Sequence, residues 1–249
     1  MKTDWNYTGM AKAYLKRPDY ADEALHKLFE LTDVKPNEKV CDVGAGVAHL
    51  TLKLADKGLN VTAVEPNDDM RGEGIKRTKA YPNVEWFEGI GENTKQNSDT
   101  FSLVTFGSSF NVCDRQAALL ESKRILVNNG WFAAMWNHRD LNDPIQAEIE
   151  SIIKKYIPEY GYGTRREDQT DEINRSNLFN PVHFLTGNIV HQQHKDDVIE
   201  AWRSHATLER QAKENFPNII KDISLMLTNI SNETIEVPYT TRIWAAQLK

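Results

Sequence analysis

The 249-residue chain carries 30 Lys and Arg against 36 Asp and Glu, a formal charge of −6, with 40% hydrophobic residues. That length buries a full core in one domain with an insertion or a cap, the composition excludes a disordered chain, and the acidic balance points away from nucleic acid as the main partner. Two cysteines, Cys41 and Cys113, fit neither a disulfide framework nor a zinc site, and no run is long enough to span a bilayer or to act as a signal segment, so a cytoplasmic protein without membrane attachment is expected.

Residues 1–34 read as an N-terminal helical flap, in which Pro18 interrupts or starts a helix and a helical period runs through Ala24, Leu25, Leu28, Phe29 and Leu31. Residues 35–140 then alternate strand and helix. The apolar run Val40-Cys41-Asp42-Val43 breaks at Gly44-Ala45-Gly46-Val47-Ala48, and an amphipathic stretch follows over 49–57. A second β-branched run, Val61 to Val64, ends in Glu65, 23 positions after Asp42. A glycine at a strand exit takes positive φ and lets the backbone approach a ligand. The helix that follows presents unpaired N–H groups, and Glu65 stands where an acidic residue accepts hydrogen bonds from ribose hydroxyls. The unit reads as a nucleoside-binding βαβ. A dinucleotide fingerprint would place Gly or Ala at the third position, where this chain has His49.

Early acidic residues in Asn67-Asp68-Asp69-Met70 mark the next helix, although Gly72 and Gly74 weaken it. Strands are expected over 84–87, 101–106 and 131–137. A helix over 115–127 should be closed by Asn129-Gly130. The fourth strand ends in 107–114, and ligands of open α/β sheets bind beyond such carboxyl ends. Cys113 lacks any further signature of a nucleophile. Residues 141–234 form the expected cap, with helices over 144–157, 196–202 and 219–230 and a sixth strand over 189–194. Its Gly/Tyr/Arg-rich loop, 158–166, is too long for a simple connection. It reads as the element that chooses the substrate, its tyrosines and arginines suited to an anionic or polar aromatic group. His191 and His194 lack the spacing of a metal pair, so no metal is expected. Residues 235–249 supply the final strand of the core sheet.

The pattern Asp42-x-Gly44-x-Gly46, with Glu65 ending the second strand, resembles motif I of the class I S-adenosylmethionine-dependent methyltransferases, with Ala48 where that family usually has Gly. Tyr14-x-x-Arg17-Pro18-x-Tyr20 and Trp136-Asn137-His138-Arg139-Asp140 resemble a small-molecule subgroup that includes trans-aconitate methyltransferases. This resemblance implies an α/β doubly wound, Rossmann-like sheet of seven strands, the last antiparallel, with a helical cap. It also implies S-adenosyl-L-methionine as cofactor and methyl transfer to an O or N atom of a small-molecule acceptor. Arg17 would then meet the methionine carboxylate and Gly91-Glu92 the adenine, with Asp42, Gly44, Ala45, Gly46, Glu65, Pro66, Met70, Phe106, Gly107 and Ser108 completing the cofactor site.

On the acceptor side, Asn111 and Val112 stand where the subgroup often has His and Trp, so a base there is absent. His138, just past the fifth strand, becomes the candidate base, and Asn111 a candidate to orient the acceptor. Tyr7, Tyr14, Trp136 and Arg139 are candidates to line the acceptor site. An NAD-dependent oxidoreductase and a cofactor-binding pseudoenzyme remain as alternatives. Gly107-Ser108-Ser109-Phe110 is not the Asn/Asp-Pro-Pro-aromatic loop of nucleic-acid amino-methyltransferases.

Overall fold

The strands are β1 (Lys39–Val43), β2 (Asn60–Val64), β3 (Val84–Phe87), β4 (Phe101–Gly107), β5 (Leu126–Arg139), β6 (His183–His194) and β7 (Thr234–Gln247) in a computed structural model that describes residues 11–203 and 205–249. They form one sheet in the order β3-β2-β1-β4-β5-β7-β6. β1 to β5 pair in parallel, whereas β7 runs antiparallel to both β5 and β6. The sheet is therefore the seven-stranded, Rossmann-like one expected, with its last strand reversed.

Helices α1 (Ala11–Tyr14), α2 (Asp22–Thr32), α3 (His49–Asp56), α4 (Asp68–Arg77) and α5 (Arg115–Ile125) belong to the first half of the chain. The second half adds α6 (Pro144–Tyr156), α7 (Thr170–Arg175), α8 (Lys195–Arg203), α9 (Ala206–Ala212) and α10 (Phe216–Thr228). Their starts follow side-chain chemistry. Asn67, Asp114 and Asp143 each accept a backbone N–H from the first turn of α4, α5 and α6, and Pro144 opens α6 where its missing N–H costs nothing.

The two-residue period of the strands divides the core. On β5, Phe132, Ala134 and Trp136 face one layer with Leu119 of α5 and Ile173 of α7. Ala133 and Met135 face the other, with Leu25 and Leu28 of α2 and Leu50 and Leu54 of α3. A third apolar cluster joins Ile149, Ile153, Trp202, Ile219 and Ile223 of the cap helices to Ile235 and Val237 of β7. Gly74, unfavourable inside a helix, has a packing reason: a Cβ there would lie 2.2 Å from the Trp86 ring of β3. No helix among the described residues is long and apolar enough to cross a membrane.

Two boundaries differ from the sequence expectation. α5 ends at Ile125, because Leu126 already has extended backbone (ψ 141°) and opens β5. Asn129-Gly130 therefore lies inside a strand rather than capping the helix, with Asn129 at φ 60°. β6 begins at His183, not near 189, paired to β7 from His183–Ala245 through His194–Thr234. It is an edge strand with half of its side chains exposed, and its first half lacks an apolar alternation.

The segment before α2 is tied across the carboxyl end of β5. Ala21 N–H donates to Thr241 Oγ1 (2.8 Å), whose hydroxyl donates to Asn137 Oδ1 (2.5 Å), while Asn137 Nδ2 donates to the carbonyls of Asp19 (2.9 Å) and Pro18 (3.3 Å). Replacing Thr241 by Val keeps the volume but leaves Ala21 N–H and Asn137 Oδ1 without this partner at a buried position. Urea denaturation should show a loss of about 1–3 kcal/mol for Thr241→Val; unchanged stability would mean that this link does not hold the flap.

Candidate cofactor and acceptor site

Beyond the carboxyl ends of β1, β2, β4 and β5 lies a cavity of about 880 Å³. At the exit of β1, Gly44 (φ 68°) and Gly46 (φ 55°) adopt left-handed backbone. A Cβ on Gly44 would come within 2.4 Å of Ser109 Cβ, so glycine lets the loop after β4 approach; a Cβ on Gly46 would meet nothing within 4 Å. The two glycines thus close one side of the loop and leave the other open to a ligand.

Glu65, at the tip of β2, is buried yet lines this cavity. Its Oε2 accepts Gly46 N–H (2.9 Å) and its Oε1 accepts Asn67 N–H (2.8 Å). Burial raises its pKa, while these two hydrogen bonds act in the opposite direction. Each carboxylate oxygen keeps a second lone pair, so the group can still accept from a vicinal diol. Asp42, on β1, accepts hydroxyl protons from Thr51 (2.7 Å) and Thr105 (3.1 Å), and burial pushes its pKa up to about 6.

The other residues expected at the cofactor mostly line the same cavity: Arg17, Ala45, Pro66, Met70, Gly91, Glu92, Gly107 and Ser108. A Cβ on Gly91 would lie 2.4 Å from Cys113 Sγ, and Glu92 Oε1 accepts Asp114 N–H (2.6 Å), which fixes this edge. Phe106 is a correction. Its side chain is fully buried against Phe110 and Phe132 in the core and does not line the cavity. His49, the departure from a dinucleotide fingerprint, places Nδ1 2.8 Å from Asp19 and Nε2 2.8 Å from the Tyr14 carbonyl. It links the start of α3 to the flap.

Toward the acceptor side, Tyr14, Asn111, Trp136 and Arg139 all line the cavity, whereas Tyr7 lies outside the described residues. Trp136 Nε1 donates to Asn111 Oδ1 (2.9 Å), leaving the amide nitrogen of Asn111 as a donor. His138, expected as a base, does not line the cavity. Its ring is buried and Nε2 donates to the Arg165 carbonyl (2.9 Å), while Nδ1 is buried with no hydrogen-bond partner among the described residues. Burial, with a smaller contribution from Arg166 and Arg242, lowers its pKa to about 4. The ring buttresses the loop over it.

Among the lining residues that escaped residue-by-residue expectation are Arg165, Arg166, His205 and Arg210. The first two lie in the Gly/Tyr/Arg-rich loop, in a 3₁₀ turn over Gly163–Arg166. The other two had no local signal, because α8 and α9 bring them to the cavity from about 40 residues downstream. Among the described residues no group of three or more His, Cys, Asp or Glu is placed to hold a metal ion.

Residues 41–134 match the family model described as a methyltransferase domain. An uncharacterized methyltransferase of Schizosaccharomyces pombe is 28% identical over 149 residues, 59% of this chain and 58% of that protein. An uncharacterized methyltransferase of Mycobacterium bovis is 30% identical over 137 residues, 55% of this chain and 54% of that protein. The chain spans a little over half the length of these curated relatives. A Haemonchus contortus phosphoethanolamine N-methyltransferase, solved with phosphomonomethylethanolamine and S-adenosylhomocysteine, is 14% identical, with a TM-score of 0.55 over 96% of this chain and 56% of that one. That likeness gives the fold alone, a Rossmann-like sheet.

His138 should be neutral at pH 7. A group whose folded pKa is depressed contributes stability that is present above its unfolded value near 6.5 and is lost as pH falls toward about 4. NMR of its ring protons should show no titration between pH 5.5 and 8; a midpoint near 6.5 would contradict its burial.

Proposed function

We propose that this protein is an S-adenosylmethionine-dependent methyltransferase that methylates an O or N atom of a small molecule, of the subgroup that its flap and fifth-strand motifs resemble. The observation that carries the reading is Glu65: a carboxylate at the tip of β2, bonded to Gly46 N–H and facing an open cavity at the side where Gly46 has no Cβ. That donor and acceptor set fits a ribose. The matched methyltransferase domain over 41–134 supports the same reading, and the H. contortus enzyme of similar fold is solved with a small amine-phosphate, a molecule of the class we infer.

Within this reading Glu65 holds the ribose, Gly91 and Glu92 border the adenine, and Arg17 faces the methionine carboxylate. When bound, the cofactor supplies a methyl group on a sulfonium, with a neutral thioether as leaving group. The chain's own task is to orient the acceptor and exclude water. Orientation alone contributes up to roughly 7–11 kcal/mol in the best intramolecular models. Asn111, held by Trp136, positions a polar group of the acceptor, and the described part of the flap, 11–34, together with the cap over 141–234 covers the 35–140 core and its final strand, 235–249. The protein would work in the cytoplasm, on a diffusible acceptor, with no metal.

An NAD-dependent reading is disfavoured by His49, whose ring stands at the start of α3 and bonds Asp19 and the Tyr14 carbonyl where a dinucleotide fold needs a small residue. Isothermal titration should give micromolar binding of S-adenosylhomocysteine and none of NAD. Glu65→Ala should weaken the former about 10- to 100-fold through lost charge-assisted hydrogen bonds. Unchanged affinity in that variant, or binding of NAD instead, would overturn the assignment.

A further inference from the structure

The charges around the cavity are segregated. Its lining carboxylates, Asp42, Glu65, Glu92 and Asp114, all come from β1 and from the loops that follow the core strands. Its cationic side chains come from the flap, the end of β5 and the cap. Three of them, Arg139, Arg165 and Arg166, contact neutral groups rather than carboxylates. Arg139 Nε donates to Tyr239 Oη (3.2 Å) and its guanidinium lies 4.3 Å from the Trp202 ring. Arg166 donates to the Arg139 carbonyl (3.0 Å) and lies 4.2 Å from the Tyr162 ring. None of the three pairs with a carboxylate among the described residues; Glu150, the carboxylate that acts on Arg166 through its charge, is engaged by Lys154 and Tyr162.

A second observation fixes where an anion belongs. His205 Nδ1 accepts the backbone N–H of Leu208 (3.2 Å), and the buried ring, beside Arg165 and Arg139, is held neutral. Its proton must therefore sit on Nε2. Yet Arg165 Nη2, which can only donate, stands 3.4 Å from that nitrogen. Two donors face each other, both on residues that line the cavity, and neither can accept from the other. An oxygen bearing negative charge satisfies both at once. Arg165 is itself costly as it stands: burial, then Arg17 and Arg139, bring its pKa down to about 10.

We propose that the methyl acceptor carries an oxyanion, a carboxylate or a phosphate, bound between Arg165 and His205 and flanked by Arg139 and Arg166. The proposal rests on the methyltransferase reading, in which Arg17 serves the cofactor's own carboxylate and leaves these groups for the acceptor. An oxyanion here would anchor the acceptor at the cap end, away from the acidic loops, and so hold its nucleophilic atom toward the core.

The test uses the full chain saturated with S-adenosylhomocysteine, titrated calorimetrically with succinate, its neutral analogue succinamide, and inorganic phosphate. Succinate or phosphate should bind, succinamide should not, and Arg165→Gln should weaken the anion by about tenfold or more while the Kd for S-adenosylhomocysteine stays within about twofold. Arg165→Lys should recover part of the affinity. Binding of succinate alone would assign a carboxylate and of phosphate alone a phosphate. If S-adenosylhomocysteine binds but neither anion does, if succinamide binds as well as succinate, or if Arg165→Gln leaves anion affinity unchanged, the oxyanion site is wrong. Failure of S-adenosylhomocysteine to bind the wild-type chain would instead remove the methyltransferase reading on which it rests.

Discussion

The proposed site depends first on the hydrogen bonds that Glu65 accepts from Gly46 N–H and Asn67 N–H. They join the loop after β1 to the loop after β2 at the carboxyl edge of the sheet. β1 lies between β2 and β4, so the connections on its two sides diverge and leave a crevice at the switch point. The carboxylate is costly to bury, and the two N–H donors offset that cost without using all its lone pairs. A rigid, half-satisfied acceptor at the mouth of a crevice is what a diol-bearing ligand requires.

Around that acceptor the cavity carries two kinds of tension. At the core end Asp42 is ionised only with help, its pKa raised to about 6 by burial and moderated by two threonine hydroxyls. At the cap end Arg165 is buried among like charges. Each end is electrostatically incomplete in the opposite sense. Perturbed ionisable groups gather at binding sites, and in the proposed reading Arg165 finds its partner in the bound acceptor. The links from Asn137, Thr241 and His49 then explain how the flap can stay over the crevice while its own residues face inward.

The sheet was legible because its signals are local. The continuous apolar run of β5 and the glycines beside Asp42 mark strand and turn within a few residues, and the 23-residue step to Glu65 follows from the length of one βα unit. The second half of the site was not legible for a matching reason. His205 and Arg165 meet across 40 residues of chain, through helices whose placement depends on a separate apolar cluster. His138 shares the periodicity of Trp136, but the loop carrying Arg165 lies on its ring, and no spacing within β5 records that cover. Phe106 has the right position in the strand and the wrong face: its ring packs inward and only its neighbours Gly107 and Ser108 reach the cavity. The end of α5 was misplaced because Asn129-Gly130 has the composition of a helix cap while the backbone had already turned into β5 at Leu126.

The most direct test of the account is a crystal structure with S-adenosylhomocysteine bound. The account predicts the ribose hydroxyls on Glu65, the adenine beside Gly91 and Glu92, and the sulfur directed toward Asn111 and the arginines of the cap. A nucleoside seated elsewhere in the cavity, or a ribose that leaves Glu65 uncontacted, would contradict it.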